Sequence, residues 1–281
     1  MKTRILSLLC ACVAVGSFAQ SEVPTASLKK AIVPLVGSTP GAHGAIFKTM
    51  LRIQALPGGH GRIVFHPLGA IARSDDPSIP YRFPENATVV DFLQYDDIVA
   101  AMGQSGLGTL DIIPDAYSGN IVPPVTTRIF NDTPGGTFGT EEQVVYPLNY
   151  FVDLYGAPPA KGVVVLHSTT LVPPMSAQYR RNIGFRTLSD TQFSFYIARK
   201  DGRQVRGQSP LLPGEYSTMM SVEDFARIFL GTTIGPDDGL GIFAERGKAI
   251  IFYTYTDNGT NDPSLVVSPP VDQNILLADV P

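Results

Sequence analysis

Phe47-Lys48-Thr49-Met50-Leu51-Arg52-Ile53 returns, altered, as Tyr179-Arg180-Arg181-Asn182-Ile183-Gly184-Phe185. Each heptad opens on an aromatic and places large apolar residues four and six positions later. Alternate residues of a strand share a face. The odd-numbered set is therefore expected to face a core, and Lys48, Arg52, Arg180 and Arg186 to face water.

Three further landmarks follow each heptad in the same order. Ile63-Val64-Phe65 answers Phe193-Ser194-Phe195-Tyr196-Ile197, after which Asp201-Gly202 marks a tight turn. Asp96-Asp97-Ile98 through Gly103 answers Glu223-Asp224-Phe225 through Gly231, with acids at the start and glycine at the end, as a short helix requires. Ser221 with Asp224 approximates a capping box. Gly108–Ile113 and Val125–Asp132 then answer Gly239–Phe243 and Ala249–Asn258 as paired strands.

The repeat predicts an all-β chain of two tandem, immunoglobulin-like β-sandwich domains, each with a short helical insert, over residues 33–148 and 162–268. Strand alternation leaves closed barrels open as an alternative. Residues 20–32 read as an N-terminal extension, 149–161 as a linker rich in Pro, Gly and Ala, and 269–281 as a C-terminal tail. Abundant Gly, Pro and β-branched residues with few charges suit short strands joined by tight turns.

Lys2 and Arg4 precede the apolar run Ile5–Val15, and Ser17-Phe18-Ala19 supplies small residues for a cut after Ala19. This is the layout of a secretory signal peptide over residues 1–19, too short to span a bilayer. The expected location is secreted, periplasmic or on the cell surface, with no transmembrane segment in the mature chain. Leu9-Cys10-Ala11-Cys12 leaves a lipoprotein signal at Cys12 as a second form of export. Cleavage after Ala19 removes both cysteines, and with them disulfide, thiolate and cysteine–metal chemistry. It leaves 19 basic against 25 acidic residues, scattered, a balance that disfavours nucleic-acid partners.

Val33-Pro34-Leu35-Val36-Gly37-Ser38-Thr39-Pro40-Gly41 with Gly44–Thr49, Arg128–Asp132 with Gly136–Gly139, and Thr256–Pro263 carry a likeness across nearly the whole mature chain. In these motifs the chain resembles a group of exported proteins of soil bacteria for which no activity is established. The resemblance implies a secreted, duplicated all-β protein and transfers no catalytic residues.

The polar loop Asp257-Asn258-Gly259-Thr260-Asn261-Asp262 is the strongest constellation. Calcium takes six to eight oxygen ligands, and Asp257, Asn258, Asn261 and Asp262 could present several. The loop lacks EF-hand spacing, and the same residue types form plain turns. Calcium is the one cofactor that comes into consideration. Tyr253 and Tyr255, two apart on a strand, would project together and could stack on a sugar or a protein.

His60 and His66 would share a face on one strand, but Gly58, Gly59 and Gly61 favour a turn at His60. With His43 and His167 they make no metal-ligand pattern. Gly103-Gln104-Ser105-Gly106 falls short of a nucleophile elbow and reads as helix termination. Asp96-Asp97 and Glu223-Asp224 are paired carboxylates of the kind glycoside hydrolysis uses, and equally the acids of a helix start.

With no catalytic site predicted, the expectation is an exported non-enzymatic module for surface or extracellular interaction, with a protein or glycan partner. A carbohydrate-binding module is the alternative, and a hydrolase the third.

Overall fold

The computed structural model describes residues 29–115, 121–133, 136–147, 166–269 and 271–272. The signal segment, Cys12 and the 149–161 linker lie outside these residues. The chain is mostly β, arranged as antiparallel sheets in a sandwich-like fold, with two α-helices among the described residues.

Its first half runs β1 (Ala31–Pro40), β2 (Ile46–Gln54), β3 (His60–Pro67), β4 (Ala70–Ile71), β5 (Ser78–Arg82), β6 (Phe92–Tyr95), α1 (Ile98–Ala101), β7 (Gly106–Pro114), β8 (Val125–Thr133) and β9 (Gly136–Glu142). Its second half runs β10 (Leu166–His167), β11 (Thr169–Val172), β12 (Tyr179–Thr187), β13 (Gln192–Ala198), β14 (Gln204–Gln208), β15 (Tyr216–Ser221), α2 (Val222–Leu230), β16 (Gly239–Arg246), β17 (Ala249–Asp257), β18 (Pro263–Ser268) and β19 (Val271–Asp272). Ala31 and Ile32, read as extension, open β1. Val271 and Asp272, read as tail, pair with β10. His60, read as a turn residue, begins β3.

Strand order repeats between the halves. One layer of the first half is β5-β3-β7-β1, and its counterpart is β14-β13-β16-β11. The other layer, β6-β2-β8-β9, corresponds to β15-β12-β17-β18. In the first half β1 joins both layers: Ala31 to Ser38 pair along β7, then Thr39 and Pro40 pair with Phe47 and Ile46. Each helix sits between the corresponding strands, capped as its sequence suggests. Asp97 Oδ1 accepts the Ala100 N–H at 3.1 Å in α1. Ser221 Oγ accepts the Asp224 N–H at 3.0 Å in α2, which ends on Gly231 in the left-handed conformation.

Each half has its own apolar interior. Leu51, Ile53, Ile63, Phe65, Leu110 and Ile112 line the first, and Ile183, Phe185, Phe193, Phe195, Ile242 and Ile251 the second. A third cluster joins them, in which Ile32, Leu35, Ile129 and Val145 meet Leu188, Ile250, Phe252 and Val267. The halves therefore pack against one another, with β1, β7 and the β8–β9 edge of the first meeting β12, β15, β17 and β18 of the second. Strands at this seam are covered on both faces, and such strands read as continuous apolar runs. Ala31–Val36 and Ala249–Phe252 are runs of that kind, and each of their residues is buried. A short strand addition reinforces the seam: β4 of the first half pairs with Tyr216 and Ser217 on the edge of β15.

The seam overturns one expectation. Lys48 and Arg52 lie on the open outer face of β2, partly and fully exposed. The equivalent face of β12 is turned onto the first half, so Arg186 is 0% exposed.

Candidate functional site

Arg186 anchors a buried ionic cluster on the seam. Its guanidinium grips Asp111 of β7 with two prongs, at 2.6 Å and 2.9 Å, and donates to Glu215 at 2.6 Å and to Thr109 Oγ1 at 2.9 Å. Lys30 Nζ donates to Asp111 at 2.7 Å and reaches Glu215 at 3.2 Å. His66 extends the chain of contacts, with Nδ1 2.5 Å from Asp76 and Nε2 3.1 Å from Asp111. Two strong cations thus face two carboxylates, Asp111 buried and Glu215 partly open to solvent, with an imidazole joining a third carboxylate to them.

Burial acts to raise the pKa of Asp111, but the charges of Arg186 and Lys30, with His66 beside them, hold it well below the ordinary carboxylate range. Glu215 is lowered in the same way: burial opposes, and Arg186 and Lys30 prevail. Both acids are ionised at neutral pH, and the guanidinium and ammonium groups beside them compensate their charge.

The seam opens at the other end of β12 into a cleft of about 250 Å³. Its apolar walls include Leu35, Phe47 and Met219, and its polar walls Asn182, Thr254 and Thr256. Among the described residues Arg180 is the one charged side chain lining it, and no carboxylate does. Arg180 also borders a neighbouring hollow of about 470 Å³ on the second half, beside Tyr179 and Asn182.

The Asp257–Asp262 loop meets this cleft through Arg180. NH1 donates to Asn258 Oδ1 at 2.7 Å and NH2 to Asn261 Oδ1 at 2.9 Å. Asp257 Oδ1 accepts the N–H groups of Gly259 and Thr260 at 2.7 Å and 2.9 Å, and Oδ2 accepts from Gln178 at 2.6 Å. Those backbone donors, with Gln178, lower the Asp257 pKa. The side-chain oxygens of Asp257, Asn258 and Asn261 thus serve as turn and guanidinium acceptors, and a fixed cation already sits against two of them. Asp262 stands in the same turn, its N–H directed at Thr260 Oγ1 at 3.3 Å.

Tyr253 and Tyr255 do project to one side, and that side is inward. Tyr253 packs on the second interior, where burial raises its hydroxyl pKa. Tyr255 meets Tyr179 edge-on, with ring centroids 6.0 Å apart.

Helix caps and ion pairs account for most of the paired acids. Asp97 accepts from Ser38 Oγ at 2.7 Å besides its cap, and Asp96 accepts from Gln94 at 2.8 Å. Asp224 pairs with Arg227 at 2.7 Å, and Glu223 stands 3.5 Å from buried Arg181. One acid pair belongs to each half, so neither supplies two carboxylates across a common cleft. A separate hollow of about 640 Å³ is lined by Arg199, Lys200 and Arg203. Each of these cations already has an aspartate partner, at 2.7, 2.9 and 2.6 Å.

The sequence reading missed Lys30, Asp111, Arg186, Glu215 and His66 as one group, because they come from five separated segments. Among the described residues, no three His, Cys, Asp or Glu side chains gather as a metal site, and no helix is long and apolar enough to cross a membrane. No protein-family model matches the chain, and no curated protein matches it.

Proposed function

We propose that this is an exported, non-enzymatic binding protein. Its two sandwich units are locked against one another, so that the cleft at Arg180 forms where they meet. The observation that carries this reading is the cleft itself: a concave, mostly apolar surface with a few convergent polar groups and one cation, the usual composition of a ligand site. The engagement of Asp97 and Asp224 in helix-start contacts, and of Asp224 and Glu223 with arginines, supports binding over hydrolysis.

A carbohydrate-binding module is the second reading, favoured by hydroxyl and amide groups at the cleft. Both readings share one test. Ligand panels of glycans and peptides, scored by thermal shift, should yield ligands whose effect disappears in Ser264→Trp, which fills the cleft from its rim. Turnover in a broad hydrolase screen, or thermal shifts indifferent to Ser264→Trp, would overturn the proposal.

A further inference from the structure

Arg180 differs from the other guanidiniums at the seam. Arg186 is neutralised by Asp111 and Glu215, whereas Arg180 donates to two neutral amide oxygens, those of Asn258 and Asn261. Among the described residues no carboxylate forms an ion pair with it. A guanidinium carries five N–H donors, and the two bonds to Asn258 and Asn261 leave three. The asparagines hold the planar group in place without cancelling its charge, and the nearby Asp257 carboxylate is occupied by backbone N–H groups and Gln178.

The rest of the cleft narrows the chemistry of a partner. Thr39, Thr254, Thr256 and Ser264 bring hydroxyls, and Asn182 an amide whose Nδ2 already donates to Thr254 at 3.0 Å. Phe47, Leu35 and Met219 offer apolar surface. A ligand suited to all three features carries one carboxylate, several hydroxyls and an apolar ring face. A cleft of about 250 Å³ has room for one six-membered sugar ring.

The geometry points to a hexuronate, a sugar acid standing alone or ending an acidic glycan, bound in the seam cleft with its carboxylate on Arg180. Planar guanidinium and carboxylate match in a two-pronged, charge-assisted pair. The hydroxyls of the ring would exchange hydrogen bonds with the threonines, and its apolar face would lie toward Phe47 and Met219. This inference rests on the cleft being the binding site.

The experiment is calorimetric titration of the purified protein with glucuronate, galacturonate and their short oligomers, with glucose and an acidic dipeptide as comparisons. Uronate should bind, and glucose at least tenfold more weakly. Arg180→Gln should lose at least tenfold in uronate affinity and none for glucose. Arg180→Lys should recover part of the loss. Arg128→Gln, an exposed arginine over Phe130, should behave as the unaltered protein. Because Arg180 also braces the 257–262 loop, each variant is checked by its thermal midpoint, and Ser264→Trp tests the cleft without touching that brace.

Equal affinity for glucose and uronate, stronger binding of the dipeptide, or uronate binding unchanged in folded Arg180→Gln would overturn the inference. So would the absence of uronate binding. In each case, if some other ligand's effect is lost in Ser264→Trp, the cleft still stands as a binding site. If no ligand's effect depends on Ser264→Trp, the broader proposal fails as well.

Discussion

Arg186 and Asp111, 75 residues apart and in different halves, are joined by two hydrogen bonds of 2.6 Å and 2.9 Å in a site closed to solvent. A buried ion pair gives little net stability over a well-packed apolar substitute, because both charges lose their hydration. Removing one partner is another matter, since the remaining charge is stranded. Arg186→Met should therefore cost about 3–5 kcal/mol in urea unfolding. Arg186→Lys, which keeps the charge and loses the fork, should cost less. A loss below about 1 kcal/mol for Arg186→Met, the level of an exposed pair, would mean that the cluster is not closed to water.

The same cluster sets the acid limb of stability. Asp111 and Glu215 both have folded pKa values below their ordinary ones. Their contribution is therefore present above the ordinary carboxylate range and is lost as pH falls through the lowered folded values. Stability should drop between pH 5 and pH 2. Asp111→Asn should be less stable at pH 7 and show a shallower acid loss. Parallel pH curves for the two proteins would contradict this.

Glu142, the last residue of β9, has the opposite sign. It is 6% exposed, and among the described residues neither carboxylate oxygen finds a well-formed hydrogen bond. Burial raises its pKa well above the ordinary value. Its proton is held more tightly in the folded chain, so the contribution of Glu142 to stability is fully present below pH 4.5 and is lost as pH rises through the raised folded value. Glu142→Gln should abolish this alkaline loss, and Glu142→Leu should gain about 1–3 kcal/mol at pH 8 by removing an unsatisfied buried group. A Glu142→Gln curve with the original slope from pH 5 to pH 9 would assign the loss elsewhere.

Gly184 is where the seam presses hardest on β12. A Cβ there would stand 2.4 Å from the Phe252 ring opposite and 3.0 Å from the Thr218 carbonyl. Phe252 belongs to the cluster that joins the halves, so its ring cannot retreat without loosening that contact. Gly184→Ala should cost about 1–3 kcal/mol, as overpacking does. Unfolding at the original urea midpoint would show that the ring has room to move.

Much of the fold could be read from residue alternation. Leu51 and Ile53, with Ile183 and Phe185, occupy equivalent inward positions, and the Ser221–Asp224 cap forms as its spacing suggested. Alternation says which residues share a face, but not what covers that face. Lys48 and Arg186 both lie on the outer side of equivalent strands; one meets water and the other a neighbouring sheet. The unbroken apolar runs at Ala31–Val36 and Ala249–Phe252 did carry the signal of a doubly covered strand. The charged cluster could not be read, because its members come together only once the halves dock. Arg180 was hidden for a related reason: its significance lies in the carboxylate it lacks, a property of the folded surroundings.

The central claim is that the two sandwich units fold as one cooperating body through the seam. Differential scanning calorimetry of the purified protein tests it most directly. The expected result is a single transition with matching calorimetric and van't Hoff enthalpies, moved to lower temperature as a whole by Arg186→Met. Two separable transitions, only one of them shifted by that substitution, would contradict it.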